Sequence, residues 1–168
     1  MPEKATIERA RKDKRQGKAS TTQAGEFVRE EIHHIREGKH GARSTKQAIA
    51  IGLSKARRAG VKLPSPPASA TSRTKESAAD ASRASKHPRR RTSPRRSRAV
   101  TRALKREGRQ AATTKALSRQ AKSSARRRGA SALRRSAEKA VRTKGPRVRR
   151  EAAKRAARTR QRRRRMSV

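Results

Sequence analysis

Six residues within a span of eleven carry side chains that bind metals or move protons: Glu30, Glu31, His33, His34, Glu37 and His40. On a helix, Glu30 pairs with His34 and His33 with Glu37 at i, i+4, the spacing at which two side chains share one face. Two such pairs with His40 nearby could hold an ion. The commoner fate of such a group is a salt-bridged solvent face, so the sequence predicts no metal, no cofactor and no catalytic residue. No Walker loop, dinucleotide fingerprint, His-Glu-x-x-His or Cys/His finger is present. An enzyme is therefore not expected.

The other chemistry is that of cations toward phosphate. The 168 residues include 52 Lys plus Arg against 12 Asp plus Glu, a net charge of +40. The clusters Lys86, Arg89, Arg90, Arg91, Arg95, Arg96 and Arg98, then Arg126, Arg127 and Arg128, Arg134 and Arg135, Arg147, Arg149 and Arg150, and Arg162, Arg163, Arg164 and Arg165 are candidate nucleic-acid contacts. Ser93-Pro94-Arg95-Arg96 has the form of a Ser-Pro-basic-basic turn, which can set two cations at a narrow minor groove. A single Phe and no Tyr or Trp argue against recognition by base stacking. Duplex DNA is favoured as the partner, with RNA possible because Arg also stacks.

Such charge needs elements to carry it, and the composition restricts them. Leu, Ile, Val and Phe number 17, about a tenth of the chain. That is below the roughly one-fifth that ordinary folding requires. Residues 1–63 hold 16 basic and 7 acidic residues, net +9, while residues 64–168 hold 36 and 5, net +31. The large apolar residues are concentrated in the first part. The chain thus divides into a basic N-terminal segment (1–19), a helical hairpin (20–63), a Pro/Ser/Ala linker (64–86) and an Arg/Ala-rich tail (87–168).

Within the hairpin, Ser20 with Gln23 and Ser44 with Gln47 have capping-box spacing. Phe27, Val28, Ile32 and Ile35 fall within an arc of about 140° at helical periodicity. Ile49, Leu53 and Ala56 form a stripe on the next helix, and Ile51, on the side of Ala48 and Gly52, widens the apolar arc past half the helix. The seven large apolar residues are the expected packing or partner face. Gly38 and Gly60 are expected stops. Lys46, Lys55, Arg57 and Arg58 would extend the basic surface onto this part.

Beyond Arg98 the residues favour helix, but cations on most faces repel one another in water. The expected fold is all-α: a small helical hairpin of two or three helices in the N-terminal third, with the remainder disordered or helical only when bound. The wide arc of the second helix calls for a further partner, such as the first helix, a second copy of the chain or another protein.

The stretch Ser44-Thr45-Lys46-Gln47-Ala48-Ile49-Ala50-Ile51-Gly52-Leu53-Ser54-Lys55-Ala56-Arg57-Arg58-Ala59-Gly60 resembles a family of small basic bacterial proteins. Gly25-Glu26-Phe27-Val28-Arg29-Glu30-Glu31 and Gly38-Lys39-His40-Gly41 share the likeness, which covers roughly residues 1–64. The resemblance implies an uncharacterised bacterial protein, often labelled DNA-binding, with no catalytic residues to carry over. The tail resembles those of linker histones and histone-like proteins in composition. The expected function is histone-like, largely sequence-nonspecific DNA binding and compaction in the cytoplasmic nucleoid. No apolar run approaches membrane-span length, so a membrane partner is not expected. The alternatives are an RNA- or ribosome-associated protein, or an adaptor whose residues 20–63 form a homodimer or dock a protein partner on DNA.

Overall fold

The structure, a computed structural model, describes residues 2–86 and 93–166. Among them the elements run α1 Lys4–Arg15, α2 Ser20–Arg36, α3 Thr45–Arg58, α4 Ser72–Arg83, α5 Pro94–Arg106, a 3-10 turn Gln110–Ala112, and α6 Thr114–Arg165. No strand occurs among the described residues, and none of their helices is long and apolar enough to cross a membrane. Two compact units divide the chain, residues 1–120 and 121–168.

In the first unit α2 is the central element. Phe27 and Ala24 face one cluster, with Ala10 of α1, Ala56 of α3 and Val61. Ile32 and Ile35 face a second, with Ala42, Ala48, Ala111 and Ala112. Phe27 and Ile35 are completely buried, as helical periodicity requires of one amphipathic face. The basic N-terminal segment is tied onto this core. Thr6 and Ala10 are buried, Glu3 N donates to Glu30 Oε2 at 3.1 Å, and Arg9 Nε reaches Glu26 Oε2 at 2.6 Å.

α3 packs by its small residues. Ala48, Gly52 and Ala56, four apart, are its buried stripe, while Ile49, Ile51 and Leu53 flank it half-buried. The cause is the close approach to α2: a Cβ on Gly52 would lie 2.7 Å from Val28 Cα. The large residues cannot enter a helix crossing this tight, so they seal its margins. Besides α2, α3 packs on α4 and on the 3-10 turn.

The N-terminal third does not close its own core. Residues 104–117 complete it, largely through backbone groups. Gly41 N donates to Leu104 O (2.9 Å), Ala42 N to Gly108 O (3.1 Å), Thr45 Oγ1 to Ala111 O (2.7 Å) and Arg36 Nε to Ala112 O (2.9 Å). A Cβ on Gly41 would fall 1.8 Å from Glu107 O, so only glycine permits this contact.

The expectation of a remainder that is disordered, or helical only when bound, is overturned. Residues 72–83, 94–106 and 114–165 are helical in the free chain. Exposed like charges at i, i+4 cost only a few tenths of a kcal/mol each, and Ala, Arg, Lys, Gln and Leu stand at the favourable end of the helix scale. Propensity therefore outweighs the repulsion. α6 buries no residue, and its acids lend slight support, Glu151 lying 4.0 Å from Arg155. Non-helical backbone interrupts it at Gly129 (φ 75°) and Gly145 (φ 66°), sixteen residues apart, in a region of backbone space essentially reserved for glycine.

The two capping boxes also differ from expectation. Ser44 Oγ accepts from Gln47 N at 3.2 Å, and Gln47 Oε1 accepts from Arg43 N at 2.8 Å. Ser20 makes no cap; α2 begins at Ser20 itself, and Gln23 Nε2 donates instead to Lys18 O at 2.9 Å. Gly38 and Gly60 end α2 and α3 as expected.

Candidate nucleic-acid interface

α5 arranges its cations on one side. At about 100° per residue, Arg95, Arg98, Arg102, Lys105 and Arg106 fall within an arc of about 100°, and all five are exposed. Val100 and Leu104 lie opposite and line a cleft with Ile51 of α3. Arg96 falls off the basic arc. Ser93-Pro94-Arg95-Arg96 opens the helix, with Pro94 in its first turn, in place of the expected groove-binding turn. Proline suits this position because its missing N–H is one of the groups a helix start leaves unpaired. Arg102, Lys105 and Arg106 were missed by cluster-counting, although their spacing from Arg95 and Arg98 signals the shared face.

α6 spreads its charge differently. It carries 22 Lys or Arg and 2 Glu in 52 residues, on all faces. Arg126, Arg127 and Arg128 end the stretch before Gly129, and Arg162 to Arg165 end the helix, positions that the helix dipole favours for cations. Arg134 and Arg135 are exposed in the middle stretch. Arg147, Arg149 and Arg150 follow Pro146 at the start of the last stretch, where the dipole disfavours cations. None of the six described α-helices has an acid in its first turn. Anions would be favoured at such starts.

Of the secondary basic surface, Lys46 and Arg58 are exposed. Arg57 is half-buried and donates to Pro64 O at 3.0 Å. Lys55 is corrected: it turns inward between Glu31 Oε2 (2.7 Å) and Glu30 Oε1 (3.4 Å) and is not part of a basic face. Lys86 follows α4 and is exposed. Arg89, Arg90 and Arg91 lie outside the described residues.

The Glu/His group is only partly a solvent face. Glu30 and Glu31 are buried, His33 and Glu37 exposed, His34 and His40 between. The Glu3 carboxyl is held below the usual carboxylate range, first by its hydrogen bond with His34 Nε2 (2.9 Å) and then by Lys39. Lys39 is raised above the usual lysine value, chiefly by its hydrogen bond to Glu37.

The sequence profile of a family of unknown function, DUF6496, matches residues 4–66. That span contains α1 to α3 and stops before α4, so the segment that completes the core and the whole basic tail lie beyond it. No curated protein and no solved structure matches the chain.

Proposed function

We propose that this protein is a histone-like, largely sequence-nonspecific duplex-DNA-binding protein of the bacterial nucleoid, and that it binds rather than catalyses. The observation that carries the reading is the charge spacing of α6. With 22 cations in 52 residues and a rise of 1.5 Å per residue, the helical stretches of α6 carry one cation per about 3.5 Å of axis. Each strand of duplex DNA carries one phosphate per about 3.4 Å of helix axis. Cations on every face of α6 suit contact with more than one duplex, and the one-sided arc of α5 suits contact with one. The chain has no Asn, a side chain that pairs with adenine, and cations on every face of α6 cannot all meet base edges, which favours phosphate neutralisation over sequence readout.

A salt-titrated binding assay on the full chain tests the reading. If ten phosphates are engaged, the log–log slope is near −9 and affinity falls by about five decades between 50 and 200 mM salt. A slope near zero overturns the proposal. Tighter binding to structured RNA than to duplex DNA at matched salt moves the target to RNA.

A further inference from the structure

In a chain of net charge +40, a corner where Glu3, Glu30, Glu31 and Glu37 meet two lysines, Lys39 and Lys55, is anomalous. Its centre is Glu31, which is completely buried, and neither of whose carboxylate oxygens receives a hydrogen bond. Lys55 Nζ pairs with Glu31 Oε2 at 2.7 Å and with Glu30 Oε1 at 3.4 Å, so one ammonium serves two buried carboxylates. Burying a carboxylate with so little compensation is costly unless a further cation completes its surroundings.

The neighbouring histidines are oriented to supply that cation's ligands. His40 Nδ1 lies 3.0 Å from Gly41 O, and a carbonyl only accepts, so Nδ1 bears the proton. In the neutral ring Nε2 then has a lone pair, and it lies 3.3 Å from Glu31 Oε1. The ring nitrogen left free of the Gly41 carbonyl is thus the one directed at the Glu31 carboxylate. His34 is fixed by Glu3, whose Oε1 is 2.9 Å from His34 Nε2. One carboxylate oxygen of Glu31 and one ring nitrogen each of His34 and His40 lie within 4.8 Å of one another.

We propose that Glu31, His34 and His40 form a binding site for a divalent transition-metal ion, best fitted by Zn2+. Two imidazoles and a carboxylate are a zinc donor set, three protein ligands leaving one open position. Ligating histidines generally donate their second N–H to a carboxylate or a backbone carbonyl, and the Gly41 carbonyl takes that part for His40. Tetrahedral bonds of about 2.0–2.1 Å put ligand atoms about 3.4 Å apart, so atoms now within 4.8 Å of one another draw together by up to about 1.4 Å. A cavity of ≈ 290 Å³ adjoins the site on the His34 side, where Glu3, Glu30 and Glu37 line it with Arg29 and Lys39. The ion would clamp α2 to the His40–Ala42 loop, and through Gly41 and Ala42 to the backbone at 104–108.

The test uses the tag-free full chain with Zn2+, Co2+ and Mg2+. Zn2+ is expected to raise the unfolding temperature where equimolar Mg2+ does not, and Co2+ to give the visible d–d bands of a low-coordinate site. His40→Ala is expected to abolish the bands and weaken Zn2+ at least 100-fold. His33→Ala, on the same helix but outside the site, should leave both unchanged. Glu3→Gln, which removes the carboxylate partner of His34 together with its pairing to Lys39, should weaken Zn2+ about 10-fold. Because Glu31→Gln can unfold the chain, His40→Ala carries the decision. Absent Co2+ bands, equal stabilisation by Mg2+, or a His33→Ala loss matching His40→Ala would overturn the proposal. None of these outcomes depends on DNA binding.

Discussion

α3 and the middle stretch of α6 are both alanine-containing, basic helices of similar length, and they are helical for different reasons. In α3, Ala48 and Ala56 are completely buried and, with Gly52, let two helix backbones meet. In α6, Ala130, Ala137 and Ala140 serve only as helix formers, and nothing is buried. In the first case alanine is a spacer that sets an interhelical distance. In the second it is a low-entropy filler between cations. One helix exists because of tertiary contacts, the other because of local propensity, so perturbations should separate them cleanly.

The largest expected effect is at the completely buried Phe27. Phe27→Ala should cost about 3–5 kcal/mol in unfolding free energy, while leaving the salt slope of DNA binding unchanged at temperatures where the chain stays folded. The complementary change, Arg126, Arg127 and Arg128 each to Gln, should leave the unfolding midpoint in place and make the slope shallower by about 2.7. If both variants alter both readouts, the two regions are not independent.

Glycine sharpens the contrast, because one substitution should act with opposite sign in the two regions. Gly52→Ala drives a methyl against Val28 backbone and should destabilise by about 1–3 kcal/mol by thermal unfolding. At Gly129 no atom lies within 4 Å of where a methyl would stand, and alanine there would abandon the positive φ for helix. Gly129→Ala should therefore favour the helix by about 1 kcal/mol and raise the helical circular dichroism signal.

The smallest effect is at the corner where Glu3 meets His34 and Lys39. Because the folded state lowers the Glu3 pKa, its contribution is complete above the ordinary carboxylate range. It is lost as pH falls through the lowered folded value. A pH series of unfolding midpoints should show a slight acid-side decline that Glu3→Gln removes.

The amphipathic face of α2 was legible because Phe27, Ile32 and Ile35 repeat at the helical period and have no other way to leave water. The Ser44 cap and the glycine stops were legible because their signals are local. The same reasoning failed at Ser20, where nothing local distinguishes a serine that caps from one that begins the helix. It failed at α3, where large residues mark the expected core face but a close crossing admits only small ones. Lys55 looked like any surface lysine, and its turn inward depends on Glu30 and Glu31 a helix away. The basic arc of α5 was present in the spacing and was hidden by counting clusters instead of angles.

The sequence alone determined that most of the charge stands behind residue 64 and that one helix of the front third is amphipathic. These are matters of composition and short-range period, which act on each segment by itself. Tertiary structure decided that residues 104–117 finish the front core and that Gly41 and Gly52 must be glycine. It also decided that Glu31, His34 and His40 converge. Those contacts use backbone carbonyls, alanine methyls and residues far apart in the chain, and such groups leave no periodic trace. Only the packed arrangement tells which alanine is a spacer and which is filler.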